Sequence, residues 1–402
     1  SFEAFAVSTA SRVGTGNLAG VATAIAVGGP GAVFWMWVIA LLGSATAFVE
    51  STLAQLYKRK TQGSFIGGPA YYMKFGLRKP RMAKLYAVLI TVTFCMAYIS
   101  IQSNTICAAA DKAFGVPPLV MGLILVVLST LCVFGGIGRI AKVSSVIVPV
   151  MAILYVVLAV VIILMNLRLI PHVFAVILSN AFGLQQFAGG TLGATMMNGI
   201  KRGLFSNEAG EGSAACAASI ASVSHPVKQG LVQALSVFTD TLLICSCTAF
   251  IILISGVFTT PGLNGVQLTQ MALQSEIGPI GTQFVAIAIF FFAFSSIIGN
   301  YTYGEMNVKF LTARKGWLTF VRVMNGVVMV FFGSLASLDL VWSLGDLFMG
   351  SITLCNLVAI VKLSPQACFL LNDYRQQKRN GIKSPVFHRS QMPDIEKDIE
   401  AW

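Results

Sequence analysis

Two glycine clusters hold the residues of this sequence best placed to do chemistry. The first, "SRVGTGNLAG" from Ser11 to Gly20, sets Arg12, Gly14, Gly16, Asn17 and Gly20 between apolar flanks. The second, "KRGLFSNEAGEGSAA" from Lys201 to Ala215, sets Gly203, Gly210 and Gly212 among Lys201, Arg202, Asn207, Glu208 and Glu211. Glycine runs bare their backbone N–H groups. In a soluble βαβ unit such a run cradles a phosphate, and it follows a strand. Here the preceding stretch is "FEAFAVSTAS", helical in character, and more apolar chain follows. The other chemistry belongs to a membrane helix unwound at mid-span. N–H groups at the start of one half-helix attract a carboxylate. C=O groups at the end of the other half suit a small hard cation. A zwitterionic amino acid together with Na⁺ is served by both.

The elements that carry these clusters must cross a membrane. Of 402 residues, 56% are hydrophobic and 10% charged, against about 25% charged in a soluble domain. Mean hydropathy is +0.80. Long apolar runs indicate helices rather than the short alternating strands of a barrel. No basic stretch, short apolar run and small-residue cleavage site open the chain, so no signal peptide is expected. The eight cysteines form no C-x-x-C and lie in or beside apolar segments, as small packing residues do. No H-E-x-x-H or G-x-S-x-G occurs, and no histidine forms a plausible constellation, which argues against a membrane-embedded enzyme. Nothing resembles the repeated filter loop of a channel. No cofactor is implied.

The apolar pattern predicts ten hydrophobic helices, at about 3–27, 31–57, 82–110, 117–135, 141–166, 190–222, 228–256, 280–306, 316–336 and 340–371. Residues 62–78 read as a short interfacial segment and 172–187 as a surface helix on the far side. Together 1–371 make one transmembrane domain, with repeats at about 1–166 and 172–371 and a polar cytoplasmic tail at 372–402. Lys and Arg fall almost entirely on one side of this topology. The other side holds only Lys112 and Arg168, while Arg12, Lys201 and Arg202 lie in the broken segments. That asymmetry places both ends of the chain in the cytoplasm. It also accounts for the net charge of +12 without nucleic acid, since no basic patch accompanies a binding module.

Unpaired backbone groups are not tolerated in lipid, so each glycine break must face protein, water or a ligand. The breaks fall in the first and sixth helices, at the start of each five-helix half. The next helix of each half carries one carboxylate, Glu50 and Asp240. This is the pattern of inverted repeats with a midplane site at discontinuous helices. An odd number of spans per half inverts the second half automatically. Charges within spans are costly and are functional candidates. Arg12 sits near the cytoplasmic end of the first half-helix. Lys201 and Arg202 lie close in sequence to Glu208 and Glu211, as either a gate of ion pairs or a permanent network. Glu50 and Asp240 are expected to brace the broken helices; Glu50 would load the proton if protons drove the cycle. Asp346 has no evident role. Gln102, in "YISIQSNTI", and Asn104 are polar in an apolar span and need partners.

"VGTGNLAGVATAIAVGGPGAVFWMW", "GIKRGLFSNEAGEGSA" and "SSIIGNYTYGE" resemble segments of the alanine or glycine:cation symporter family of bacterial and archaeal plasma membranes, and the match extends over nearly the whole chain. The resemblance implies an all-α, LeuT-like 5+5 inverted-repeat bundle that cotransports a small neutral amino acid, alanine or glycine, with Na⁺. It implies that Thr15 and Gly16 hold the substrate carboxylate by their amides, and that the Asn17 oxygen faces the cation or that carboxylate. The carbonyls of Ala10, Val13 and Phe292 and the hydroxyls of Ser295 and Ser296 would make a neutral five-oxygen Na⁺ cage. Gln102 would meet the substrate's amino or carboxylate group. Phe205 would close over the substrate, and Asn300 would line the pocket. Some relatives carry a tryptophan at the last position, so Asn300 widens the pocket. Family members also carry a further membrane helix ahead of the first broken one, which implies that this chain is a fragment.

Overall fold

The computed structural model describes residues 12–61, 64–134, 137–182 and 191–402. It is a helical bundle. The first span is α1, Gly16–Gly28, preceded by a break at Val13 and Gly14. Then come α2 (Ala32–Leu56), α3 (Pro80–Phe114), α4 (Pro118–Phe134), α5 (Ile137–Met165) and α6 (Ile170–Phe182). The sixth expected span is two pieces, α7 (Thr191–Asn207) and α8 (Ser213–Ile220). The rest are α9 (Val227–Ser255), α10 (Gly265–Ile277), α11 (Ile280–Leu311), α12 (Lys315–Leu335) and α13 (Leu338–Arg379). Seven of the described helices are long and apolar enough to cross a membrane. Both expected discontinuities are present, five spans apart.

Local chemistry explains the segmentation. Pro80 and Pro118 open α3 and α4, where a missing N–H costs nothing. Ser337 caps α13 by accepting from Leu340 N at 3.3 Å. Several polar side chains inside the spans are paired, which lipid favours. Asn104 donates to Gly333 O and Ala336 O, both at 3.1 Å, so it satisfies the last carbonyls of α12. Tyr57, Tyr86 and Tyr155 are fully buried and spend their hydroxyls on Gln366, Glu211 O and Thr248, at 2.8, 2.6 and 2.7 Å. Leucines such as Leu131 and Leu354 stand 65% and 69% exposed, the outward belt a bilayer covers.

Four features go beyond what the sequence predicts. The helix α10 was not anticipated; it is short and partly polar, and it packs over the first break, with Thr269 Oγ1 donating to Leu18 O at 3.0 Å. The interfacial segment contains a β-hairpin, Arg59–Thr61 paired with Ser64–Ile66, ahead of two short helical turns from Pro69 to Gly76. The last helix runs to Arg379. The polar tail beyond it packs back against the bundle. Phe387 N donates to Ser224 O at 2.9 Å, Glu400 pairs with Arg59 at 2.9 Å, and Asp398 pairs with Arg78 at 3.0 Å. Phe387 and Ile399 are buried, and Trp402 Nε1 donates to Gln55 O at 2.8 Å. The Trp402 ring also lies 4.6 Å from Lys58 Nζ. The tail is thus a strap across the ends of α2, α8 and α13.

Candidate substrate and ion site

The first break is built by what glycine permits. A Cβ on Gly14 would stand 2.5 Å from Ser296 Oγ, and one on Gly16 would stand 2.7 Å from Ser206 Cα. Only bare backbone lets this segment lie against both α11 and the end of α7. Asn17 then caps the break. Its Oδ1, expected to face cation or carboxylate, accepts from Gly14 N at 2.8 Å in this structure. Its Nδ2 donates to Asp240 Oδ1 at 2.7 Å and Ser206 Oγ at 3.2 Å. Thr15 meets α3, since its N and Oγ1 both donate to Gln102 Oε1, at 3.3 and 2.5 Å.

Two π-helical turns assist, Thr93–Tyr98 in α3 and Phe238–Cys245 in α9. Each extra residue in a turn re-aims the side chains around it, a device common at functional sites. One turn carries Asp240, and the other lies just before Gln102. Beside Gly14, Ser295 and Ser296 donate to the Phe292 carbonyl at 2.8 and 3.1 Å. Val13 is fully buried at the break. Ala10 lies outside the described residues.

The second break spans Glu208 to Gly212 between α7 and α8. Glu208, Gly210 and Gly212 have φ of 52°, 85° and 95°. A non-glycine residue in that region is uncommon and marks a held conformation. Its holders are visible. Glu50 Oε1 accepts from Gly210 N at 3.2 Å, and Asn356 Nδ2 donates to Glu50 Oε2 and Gly210 O, both at 2.9 Å. Tyr72 donates to Asn356 Oδ1. Glu208 accepts from Ser213 Oγ at 2.5 Å, and Glu211 accepts from Tyr98 OH at 2.7 Å. Arg12 is buried at this end of the site and donates to Gln233 O at 3.1 Å.

Lys201 and Arg202 do not pair with Glu208 and Glu211. Both pair with Asp346 of α13, Lys201 at 3.3 Å. The reason is geometric: α7 stays helical through Asn207, so these cations project toward α13, whereas the two glutamates lie inside the unwound turn. The Arg202 guanidinium also lies 4.2 Å over the Trp342 ring. Phe205 is sandwiched edge-on between Trp342 and Tyr98, with centroids at 4.8 and 4.9 Å. Asn300 is one turn past Ser296, with its Nδ2 buried and unpartnered among the described residues.

Thr15, Asn17, Gln102, Phe205 and Asn300 are at most 5% exposed, and Gly16 is buried with them. The centre is therefore occluded. Sequence reasoning missed Trp342, Ser206, Asn356 and Tyr98 as partners. A signal existed for α13: Trp342 and Asp346 are one helical turn apart, matching Arg202 and Phe205 at three residues' spacing on α7.

The sequence profile of the sodium:alanine symporter family matches residues 1–389. A probable sodium/glutamine symporter of Bacillus subtilis, GlnT, is 52% identical over 100% of this chain and 83% of its own length. The sodium/proton-dependent alanine carrier protein of Bacillus sp. strain PS3 is 38% identical over 97% of this chain and 91% of its own. The sodium/alanine symporter AgcS of Methanococcus maripaludis is 37% identical over 95% and 86%. In fold, a manganese transporter variant of Eremococcus coleocola superposes with a TM-score of 0.54 at 13% identity, over 98% of this chain and 83% of that one. That likeness in fold fits the LeuT-like bundle that the resemblance implies. The chain belongs to the sodium:alanine symporter family: it is a multi-pass membrane secondary transporter that symports amino acids, and not an enzyme.

Proposed function

We propose that this protein couples Na⁺ entry to uptake of a small neutral amino acid, alanine or glycine, by alternating access in a bacterial or archaeal plasma membrane, with both chain ends cytoplasmic. The observation that carries the reading is the packing of Gly14 on Ser296. It brings the first break against the hydroxyl pair of α11. The carbonyls of Ala10, Val13 and Phe292 with the hydroxyls of Ser295 and Ser296 form the Na⁺ cage, a neutral donor set that suits a monovalent hard cation. The Thr15 and Gly16 amides receive the carboxylate, beside Asn17. Gln102 swings from Thr15 to the substrate, and Phe205 closes the pocket. Ion binding fixes the first broken helix and so orders the amides. With both ligands in place, the first, second, sixth and seventh spans, here α1, α2, α7 with α8, and α9, rock against the rest of the two repeats, about 1–166 and 172–371. The relative named for sodium/alanine symport supports this reading.

Glutamine is a second reading. The unpartnered Asn300 Nδ2 is a donor suited to a side-chain carbonyl, and one relative is named for sodium/glutamine symport. Radiolabelled alanine, glycine and glutamine offered to proteoliposomes, under Na⁺, K⁺ or pH gradients imposed singly, test both. Uptake driven by a pH gradient and indifferent to Na⁺ would replace the ion assignment with a proton.

A further inference from the structure

Near the strap, a groove of about 500 Å³ opens between the start of α3 and the side of α13, lined by Leu77, Lys79, Pro80, Arg81, Met82 and Lys362. Three of its six residues are cations. None of Lys79, Arg81 or Lys362 forms an ion pair with a carboxylate among the described residues, whereas the neighbouring Arg78 is taken by Asp398 at 3.0 Å. Lys362 interrupts an apolar stretch of α13. Above it, Val358 and Leu354 face outward, and on α3 the exposed residues Leu85 and Val88 do the same. The groove thus has a cationic floor at the bundle's most basic end and apolar walls running toward mid-membrane. That order of chemistry, charge at one end and hydrocarbon at the other, is the order within a phospholipid. Clustered basic residues beside membrane helices attract anionic headgroups by about 1 kcal/mol per cation.

We infer that this groove is a binding site for an anionic phospholipid, with its phosphate on Lys79, Arg81 and Lys362 and its acyl chains along α3 and α13. The inference rests on the groove's charge and shape, and not on which amino acid is carried. The test titrates the lipid-stripped, detergent-purified chain with dioctanoyl phosphatidylglycerol and reads thermal stabilisation. Dioctanoyl phosphatidylcholine and inorganic phosphate serve as parallel probes. Phosphatidylglycerol alone is expected to stabilise. Lys362→Gln should raise its half-saturating concentration about fivefold, and the triple Lys79→Gln, Arg81→Gln, Lys362→Gln on the order of a hundredfold. Arg314→Gln with Lys315→Gln, on the exposed turn opening α12, should leave it unchanged. All three groove cations are exposed, so these variants keep the core intact. Equal binding by the triple variant, equal stabilisation by phosphatidylcholine, or full stabilisation by inorganic phosphate would each overturn the lipid site.

Discussion

The carboxylate of Glu50 holds the backbone N–H of Gly210 at 3.2 Å, so a helix of the first half fixes the unwound turn of the second. The reverse relation also exists. Asp240, on the matching helix of the second half, holds Asn17 of the first break at 2.7 Å. Each half carries the brace of the other.

Removing a brace should therefore loosen the opposite break. Glu50→Ala leaves Gly210 N–H with no acceptor and Asn356 with one fewer, a loss of about 1–3 kcal/mol for a buried unsatisfied group. Glu50→Gln keeps an acceptor for Gly210. Thermal unfolding in detergent should rank wild type, Gln and Ala in falling order, and equal midpoints for Gln and Ala would remove the brace.

Two glycines of the first break should respond differently to alanine. At Gly14 the added methyl meets the Ser296 hydroxyl, which can rotate away. Gly14→Ala should fold and lose Na⁺ dependence. At Gly16 the methyl meets Ser206 Cα, which cannot move without the backbone. Gly16→Ala should fold poorly. Ser295→Ala with Ser296→Ala should raise the half-saturating Na⁺ concentration at least about tenfold, a change of ~1.4 kcal/mol. Uptake assays across a Na⁺ series read all three.

Asp346 neutralises Arg202, which is 3% exposed. Breaking a buried pair at one partner costs about 3–5 kcal/mol, and the 18% exposure of Asp346 puts this case at or below the lower end. Asp346→Asn is expected to cut transport tenfold or more, with Trp342 still stacked on the guanidinium. Arg202→Gln in the same chain should recover part of the loss, because the stranded charge is then gone. A double-mutant cycle on uptake rates measures the coupling, and additive effects would show that the pair does not act as one unit.

The strap should be sensitive to pH through His225, outside the spans between α8 and α9. Burial lowers its pKa from 6.5, opposed by the hydrogen bond with Asp373 at 3.0 Å. The docked state therefore binds fewer protons than the released one just below pH 6.5. Stability rises with pH through that window and is lost on acidification. Hydrogen-exchange protection in residues 385–402, with rates divided by the intrinsic rate at each pH, should weaken as pH falls below 6.5. In His225→Gln this weakening should vanish.

Much of this was legible in the residues. Glycines within long apolar stretches are anomalous in lipid, so both breaks declared themselves, and with them the five-helix offset and the two carboxylates that follow. Polar positions such as Gln102 and Asn104 were visible for the same reason. What escaped was set by tertiary arrangement. The helix α10 lacks an apolar run, because it covers other protein rather than facing lipid. The partner of Arg202 lies 144 residues away, and nearer glutamates offered themselves in sequence. The strap hid because Phe387, Ile399 and Trp402 are spaced among charges with no helical or strand period.

Asn17 touches Gly14, Ser206 and Asp240 with one short amide. Both interrupted helices and the brace between them therefore share a single knot. In the proposed cycle, slippage, in which an ion crosses alone, is expected when that knot loosens on one strand while the others stay tied. Under the proposed function, coupling rests on a side chain of three heavy atoms beyond its Cβ, and a residue of any other length there is expected to trade fidelity for leak.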